Sequence, residues 1–364
     1  MKNTQIQMPE RPENQLSYVY LIPSAELAKQ FPLIIHAAIE AEWGDFALEG
    51  KMVTANHHLL KYADCPAPCN DPKLIDFTKT FACHSTENII VSHIDLDTVL
   101  GVMHLWGESW YIPKEFLKVA EFIDLNGPHH IHNFPQYIQD WFNAYWAWNS
   151  ENRAERITEV ILVNDVIVGH CQFFESLFNL YAENSPPLIE KGKLWAENIQ
   201  QLTESKLLME TENYRVFSTD GVFCGANYYS PTHRTIAKVC ISFNEKFKAI
   251  TVSCSDGSLD CRALVQKLWG PEAGGHTGIA GSPRGQVMDY YELKRAVHAV
   301  KRATLEHIDL PCSMQDSYTG YCPEDYQCYN QYKGNFCPVL KECIKNVFEW
   351  GHTVTVRDLA EIYK

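Results

Sequence analysis

His93, Asp95 and Asp97 stand two apart, directly behind the apolar triplet Ile89-Ile90-Val91. An imidazole and two carboxylates at that spacing are borderline and hard ligands for a divalent cation such as Mn²⁺ or Mg²⁺. At strand period the three share a face, although Asp97 reads better as part of the turn beyond the strand. In open α/β sheets, ligands gather at the carboxyl ends of strands, so a metal centre is expected here. The plainer alternative is an aspartate capping a helix beside a solvent-facing histidine.

Three further constellations carry chemistry. Asp124 closes an apolar run that begins at Pro113, and His129, His130 and His132 follow a Gly-Pro turn. Adjacent histidines point in different directions, so one can bind metal while the other meets substrate. A second pair, His57-His58, follows Val53-Thr54, which suggests a short strand leading into it. The stretch "GGHTGIAGSPRG", residues 274–285, is rich in glycine. Without a Cβ, Gly274, Gly275 and Gly281 let backbone N–H groups approach an anion. His276 and Arg284 add hydrogen bonds and charge suited to a phosphate. Against these stand a surface loop, a helix-start histidine pair and an ordinary turn.

These residues need elements to position them. Residues 25–44 read as an amphipathic helix ended by Gly44, 87–91 as a short buried strand, and the stretch from Pro113 as a helix with proline at its start. Residues 137–150 form an aromatic helix, expected to pack a core rather than stack a base. Residues 154–184 are apolar enough for central core, and a further helix runs to about 209. Beyond it, 214–219, 235–243 and 247–254 favour strands. A helix begun by Ser258 follows, and another over about 287–307. The division expected is 1–210, 211–310 and a cysteine-bearing 311–364 with Cys312, Cys322, Cys328, Cys337 and Cys343.

Composition narrows the class. With 364 residues, 46% hydrophobic and 21% charged, the chain suits a globular protein of two domains. Its net charge of −14 disfavours a long nucleic-acid track, though not a small anion held by metal. No apolar run reaches the ~18 residues of a membrane span. The polar start leads to the expectation of a cytoplasmic protein, or of one exported by a specialised machine, with mostly reduced thiols among its 13 cysteines.

On these motifs a resemblance can be stated. "SHIDLDTV" resembles the first motif of the DHH phosphoesterase superfamily, and "DGSLDCRALVQKLWGPEAGGHTGIAG" resembles its associated C-terminal domain (DHHA1). The resemblance implies an α/β fold: a parallel-sheet domain with a two-ion Mn²⁺ or Mg²⁺ site, and a smaller mixed-sheet domain across a cleft. It implies hydrolysis of a small nucleotide by a metal-activated water. His93, Asp95 and Asp97 match the first motif and Asp124 the isolated second-motif aspartate. No Asp-His-His tripeptide occurs. Its place falls either to His129-His130 or, in a rearranged order, to His57-His58. His57 is then expected among the ligands, and His58, His129 and His130 as proton carriers. Asp165 stands for the fourth-motif carboxylate, with Asp220 in reserve. Two alternatives stay open: cleavage of an N-glycosidic bond in an ADP-ribosyl or nucleotide-sugar conjugate, and a non-catalytic nucleotide-binding module. The sequence leaves oligomeric state unknown.

Overall fold

A computed structural model describes residues 7–12, 17–62, 64–80, 87–152, 157–179, 185–211, 213–220, 224–283 and 285–304. Arg284 and the five cysteines expected in 311–364 lie outside the described residues. The chain divides into two compact units, Met1–Asn198 with Val222–Gly225, and Ile199–Gly221 with Ala226–Lys364.

In the first unit the elements run β1 (Ser17–Leu21), α1 (Ala25–Lys29), β2 (Ala37–Ile39), β3 (Glu42–Trp43), β4 (Phe46–Ala47), β5 (Val53–Ala55), α2 (Pro72–Thr80), β6 (Glu87–Val91), α3 (Leu96–Trp106), α4 (Lys114–Asn126), α5 (Gln136–Asn152), β7 (Ile161–Leu162), α6 (Asn164–Phe178) and α7 (Ser185–Ser205). Five strands make one sheet in the order β5-β2-β6-β1-β7. The first four are parallel and β7 is antiparallel. Both faces of β1 and β6 are buried, the pattern of a parallel sheet covered by helices. Helix α3 is buried from Asp97 to Leu105 and packs against α2, α4 and α6.

The expected helix over 25–44 is corrected. Only Ala25–Lys29 is helical, and Ala37–Ile39 is a central strand. Pro32 cannot continue a helix and disfavours helical backbone before it. The run behind it, rich in isoleucine, then serves the sheet. The aromatic helix packs as expected: Phe142 stacks on Phe116 with centroids 4.5 Å apart, and Trp148 on Phe173 at 4.9 Å. Helix α7 crosses α5 at Gly192, where a Cβ would sit 2.4 Å from the backbone nitrogen of Ala144. Gly192→Ala is therefore expected to cost about 1–3 kcal/mol, read as a lower midpoint in urea unfolding.

Beneath α5 lies His170, buried against Tyr145 and Trp148. Its Nδ1 donates to the Val166 carbonyl at 2.8 Å, and Nε2 has no hydrogen-bond partner. Burial pulls this imidazole down to about 4. A histidine kept neutral in the fold stabilises it fully above the unfolded value near 6.5. That contribution fades as pH falls from 6.5 towards 4, a loss of about 3 kcal/mol. Urea midpoints at pH 7.5 and 4.5 should show it, and His170→Leu should flatten the difference.

The second unit holds the end of α7, then β8 (Leu207–Glu210), β9 (Tyr214–Thr219), β10 (Tyr229–Ser230), β11 (Thr235–Ile236), β12 (Val239–Asn244), β13 (Ala249–Cys254), α8 (Cys261–Trp269), β14 (Gly274–Gly275), β15 (Ile279–Gly281) and α9 (Tyr290–Thr304). Its mixed sheet has the order β14-β15-β13-β12-β9-β8, in which β12 and β9 are parallel. Helices α8 and α9 cover it through a core containing Val265, Leu293 and Val297. The helix expected to reach 209 stops at Ser205, because Leu207–Glu210 pairs with β9 as an edge strand. Asp260, not Ser258, caps α8, accepting from the Ala263 amide at 2.9 Å. The last helix begins at Tyr290 rather than about 287. Among the described residues no helix is long and apolar enough to cross a membrane.

Candidate metal centre

Three neighbouring parallel strands end on the same side of the first sheet. Strand β2 leads into Glu40, β5 into Asn56, His57 and His58, and β6 into Ser92, His93, Asp95 and Asp97. Because β2 lies between β5 and β6, Glu40 sits at the hub. Its carboxylate pairs with His57 Nε2, with His58 Nε2 at 2.9 Å and with His93 Nε2 at 3.0 Å. His57 Nε2 also lies 3.6 Å from Asp97 Oδ2 and 3.5 Å from Asp124 Oδ2. His93 Nε2 is 2.6 Å from Asp95 Oδ2. Asp124 reaches the cluster from the last turn of α4.

Local structure holds these groups in place. Asp95 caps α3, accepting from the Thr98 amide at 3.1 Å, so the capping role and the cluster role coincide in one residue. Asp97 then falls in the first helical turn. Asn56 Oδ1 accepts from the Ala41 amide at 3.0 Å, which ties the segment after β2 to the segment after β5. Glu42 accepts from the amides of His58 at 2.8 Å and Leu59 at 3.2 Å. Glu40 itself has a φ of 48°, left-handed backbone that a residue with a Cβ seldom adopts.

The charges are unevenly shared. Burial alone would raise the Glu40 carboxyl, yet the imidazoles of His58, His57 and His93 outweigh it and hold it well below the usual range. Burial alone would lower His57, yet Glu40, with Asp124 and Glu42 adding, raises it to about 9. Asp97 goes the other way: burial, then Glu40, Asp124, Asp95 and Glu121, push it well above an ordinary carboxyl. Both Asp97 oxygens are buried without a hydrogen-bond partner. A buried carboxylate ringed by other carboxylates is costly unless a cation meets it.

That donor set fits a divalent ion. Three groups of donor atoms, each within 4.8 Å, form in this unit: Glu40, His58 and His93; Glu40, His57 and Asp97; and Asp95, Asp97 and Asp124. Glu40 and Asp97 each belong to two of them. Of the residues expected from sequence, His57, His58, His93, Asp95, Asp97 and Asp124 come together here. Asp165 does not: it lies exposed in the first turn of α6. Asp220 is an exposed partner of Lys206 at 2.5 Å in the second unit. His129 and His130 fall in a 3-10 turn, Pro128–Asn133, and belong to none of the three groups. Burial, with His130 and His132 beside it, lowers His129 to about 3.

No protein-family model matches the chain, and no curated protein matches it. Among solved structures it is similar to a pGpG-specific phosphodiesterase, PggH, of Vibrio cholerae. The two share 10% identity at a TM-score of 0.33, over 72% of this chain and 82% of that one. A likeness at that level assigns neither fold nor activity.

Glu40 was not among the expected ligands, because residues 25–44 read as helix. The signal was present: an acid directly after Ala37-Ala38-Ile39, in the same syntax as His93 after Ile89-Ile90-Val91. In the second unit the glycine-rich stretch is a hairpin, not a free loop. Gly275 is required there, since a Cβ would meet the Ile279 carbonyl at 2.6 Å, and its φ is 134°. His276 donates its amide to that same carbonyl at 2.7 Å. A Cβ added at Gly274 would meet nothing within 4 Å.

Proposed function

We propose that the first unit is a divalent-metal hydrolase centre acting on a phosphoester of a small nucleotide. The observation that carries this reading is Glu40, buried among three imidazoles, beside the Asp97 carboxylate, whose buried oxygens accept no hydrogen bond. Glu40, His57, His93 and Asp97 would hold the metal, with Asp95 and Asp124 completing the acidic side. Two donor residues shared between groups suit a two-ion site. When bound, Mn²⁺ or Mg²⁺ supplies Lewis acidity and a water made acidic near neutral pH.

The remaining roles belong to the chain. His57 Nε2 lies against Glu40, Asp97 and Asp124, whereas His58 Nε2 pairs with Glu40 and its ring keeps 22% exposure with both nitrogens buried; of the two, His58 is the proposed proton donor to a leaving oxygen. His129, held neutral by burial, suits that role less well. In the second unit, the space is open where a Cβ at Gly274 would stand, which leaves that face of β14 for a phosphate, with His276 two residues on. The strongly negative chain favours a small substrate over a long polyanion.

The test is metal analysis paired with turnover. Protein stripped with chelator and reloaded with Mn²⁺ or Mg²⁺ should retain one to two ions per chain after desalting. It should then hydrolyse a member of a panel of dinucleotides, cyclic dinucleotides and pyrophosphate, releasing a phosphate ester or phosphate. Release of intact ADP-ribose from an ADP-ribosyl conjugate would instead point to N-glycosidic cleavage. Failure to retain either metal would end the reading.

A further inference from the structure

Ser92 is the first residue past β6 and is buried. Its hydroxyl touches two parts of the cluster: the main-chain carbonyl of Glu40, and His93 Nδ1 at 2.8 Å. Donor counting settles the directions. A carbonyl only accepts, so the single hydroxyl proton of Ser92 goes to Glu40. His93 Nδ1 must then donate to Ser92 Oγ. Nε2 faces the acceptor-only carboxylates of Glu40 and Asp95 and carries a proton in the metal-free chain; with Nδ1–H fixed by Ser92, Nε2 is the nitrogen that yields its proton and offers a lone pair when a cation enters. The same hydroxyl grips the one cluster residue with left-handed backbone, at φ 48°. The amide of Glu40 is held from the other side by the Ala55 carbonyl at 2.9 Å. Thr98, wholly buried, donates from Oγ1 to Glu40 Oε2 at 2.9 Å and fixes the carboxylate.

We infer that Ser92 is a positioning residue of the centre: one hydroxyl sets the tautomer of His93 and pins the strained backbone of Glu40, so that ligands from two strands face one point. This rests on the metal reading above. A partner on the far nitrogen of a ligating histidine typically governs metal affinity by about 10–100-fold. A serine tying two strand ends for packing alone would leave affinity and tautomer unchanged once stability is allowed for.

The experiment uses the full chain with Ser92→Ala and Ser92→Thr, the second keeping the hydroxyl. Calorimetric titration with Mn²⁺ reads affinity, and NMR of metal-free, ¹⁵N-histidine-labelled protein reads the His93 ring. The expected result is a slowly exchanging Nδ1–H on His93 in the parent chain and in Ser92→Thr, lost in Ser92→Ala. Mn²⁺ affinity should fall about 10–100-fold in Ser92→Ala and stay near the parent value in Ser92→Thr. The inference is overturned if Ser92→Ala keeps both the Nδ1–H signal and the affinity, or if Ser92→Thr folds yet loses as much affinity as Ser92→Ala. If Ser92→Thr does not fold, the two Ser92→Ala readouts decide. A parent chain that shows the Nδ1–H signal but binds no Mn²⁺ would sink the metal reading, and the role built on it, while leaving the hydrogen bond standing.

Discussion

Glu40→Gln should leave the protein folded and without metal. Glutamine keeps the shape of the hub and removes its charge. The side chain that His57, His58 and His93 share then ceases to be an anionic ligand. Retained Mn²⁺ should fall below detection, and turnover should drop about a thousandfold or more, as expected when charge stabilisation at a reacting centre is lost. The variant also reports through pH. In metal-free protein, His57 is raised to about 9, mainly by Glu40 working against burial. A raised histidine stabilises the fold fully below its unfolded value near 6.5, and that contribution disappears as pH rises through 9. Metal-free parent protein should therefore lose stability between pH 6.5 and 9, by about 3 kcal/mol, and Glu40→Gln should lack this loss. Thermal melts across that range with chelator present, beside metal content by mass spectrometry, check both. Stoichiometric metal in Glu40→Gln would remove the hub from the centre.

Asp97→Asn should move stability and metal binding in opposite directions. Asp97 is buried, its two oxygens have no hydrogen-bond partner, and the strongest charges on it are those of other carboxylates. A carboxyl raised in the fold opposes folding once pH exceeds its unfolded value near 3.9. Asparagine removes that opposition at nearly the same volume. In chelator the variant should be more stable by about 1–2 kcal/mol, or about 2–4 °C in melting temperature per kcal/mol for a unit of this size. Mn²⁺ affinity should fall about 100-fold or more, since one of the two shared carboxylates is gone. If melting temperature and affinity fell together, Asp97 would be an ordinary structural residue.

Much of this arrangement could be read from sequence, and the exceptions share a cause. The strand at 87–91 and the triad behind it were legible because an apolar run followed by alternating polar groups has few other meanings. Asp124 was legible as the polar end of an apolar helix. His57 and His58 were legible only in part, because Val53–Ala55 is too short to announce a strand by period alone. Glu40 is hidden because an apolar run of three residues, Ala37–Ile39, cannot compete with a helical pattern spread over twenty. Pro32 is the one residue of that stretch that argues against a continuous helix. Gly275 reads in sequence as an anion contact, whereas its backbone answers first to Ile279 and Ala280 across a tight hairpin. Asp165 follows β7, which runs antiparallel to β1, so it emerges at the end of the sheet opposite the shared end of β5, β2 and β6.

The order β5-β2-β6 has one more consequence. The polypeptide visits these strands in a different succession from the one in which they lie side by side, yet their donors arrive at a common point. Adjacency in the sheet, once set, makes the itinerary of the chain irrelevant to the ligand atoms. Two segments could trade places along such a polypeptide and leave every donor with the same companions, so ancestry traced by the succession of motifs and chemistry traced by lateral neighbours can give different genealogies for this protein.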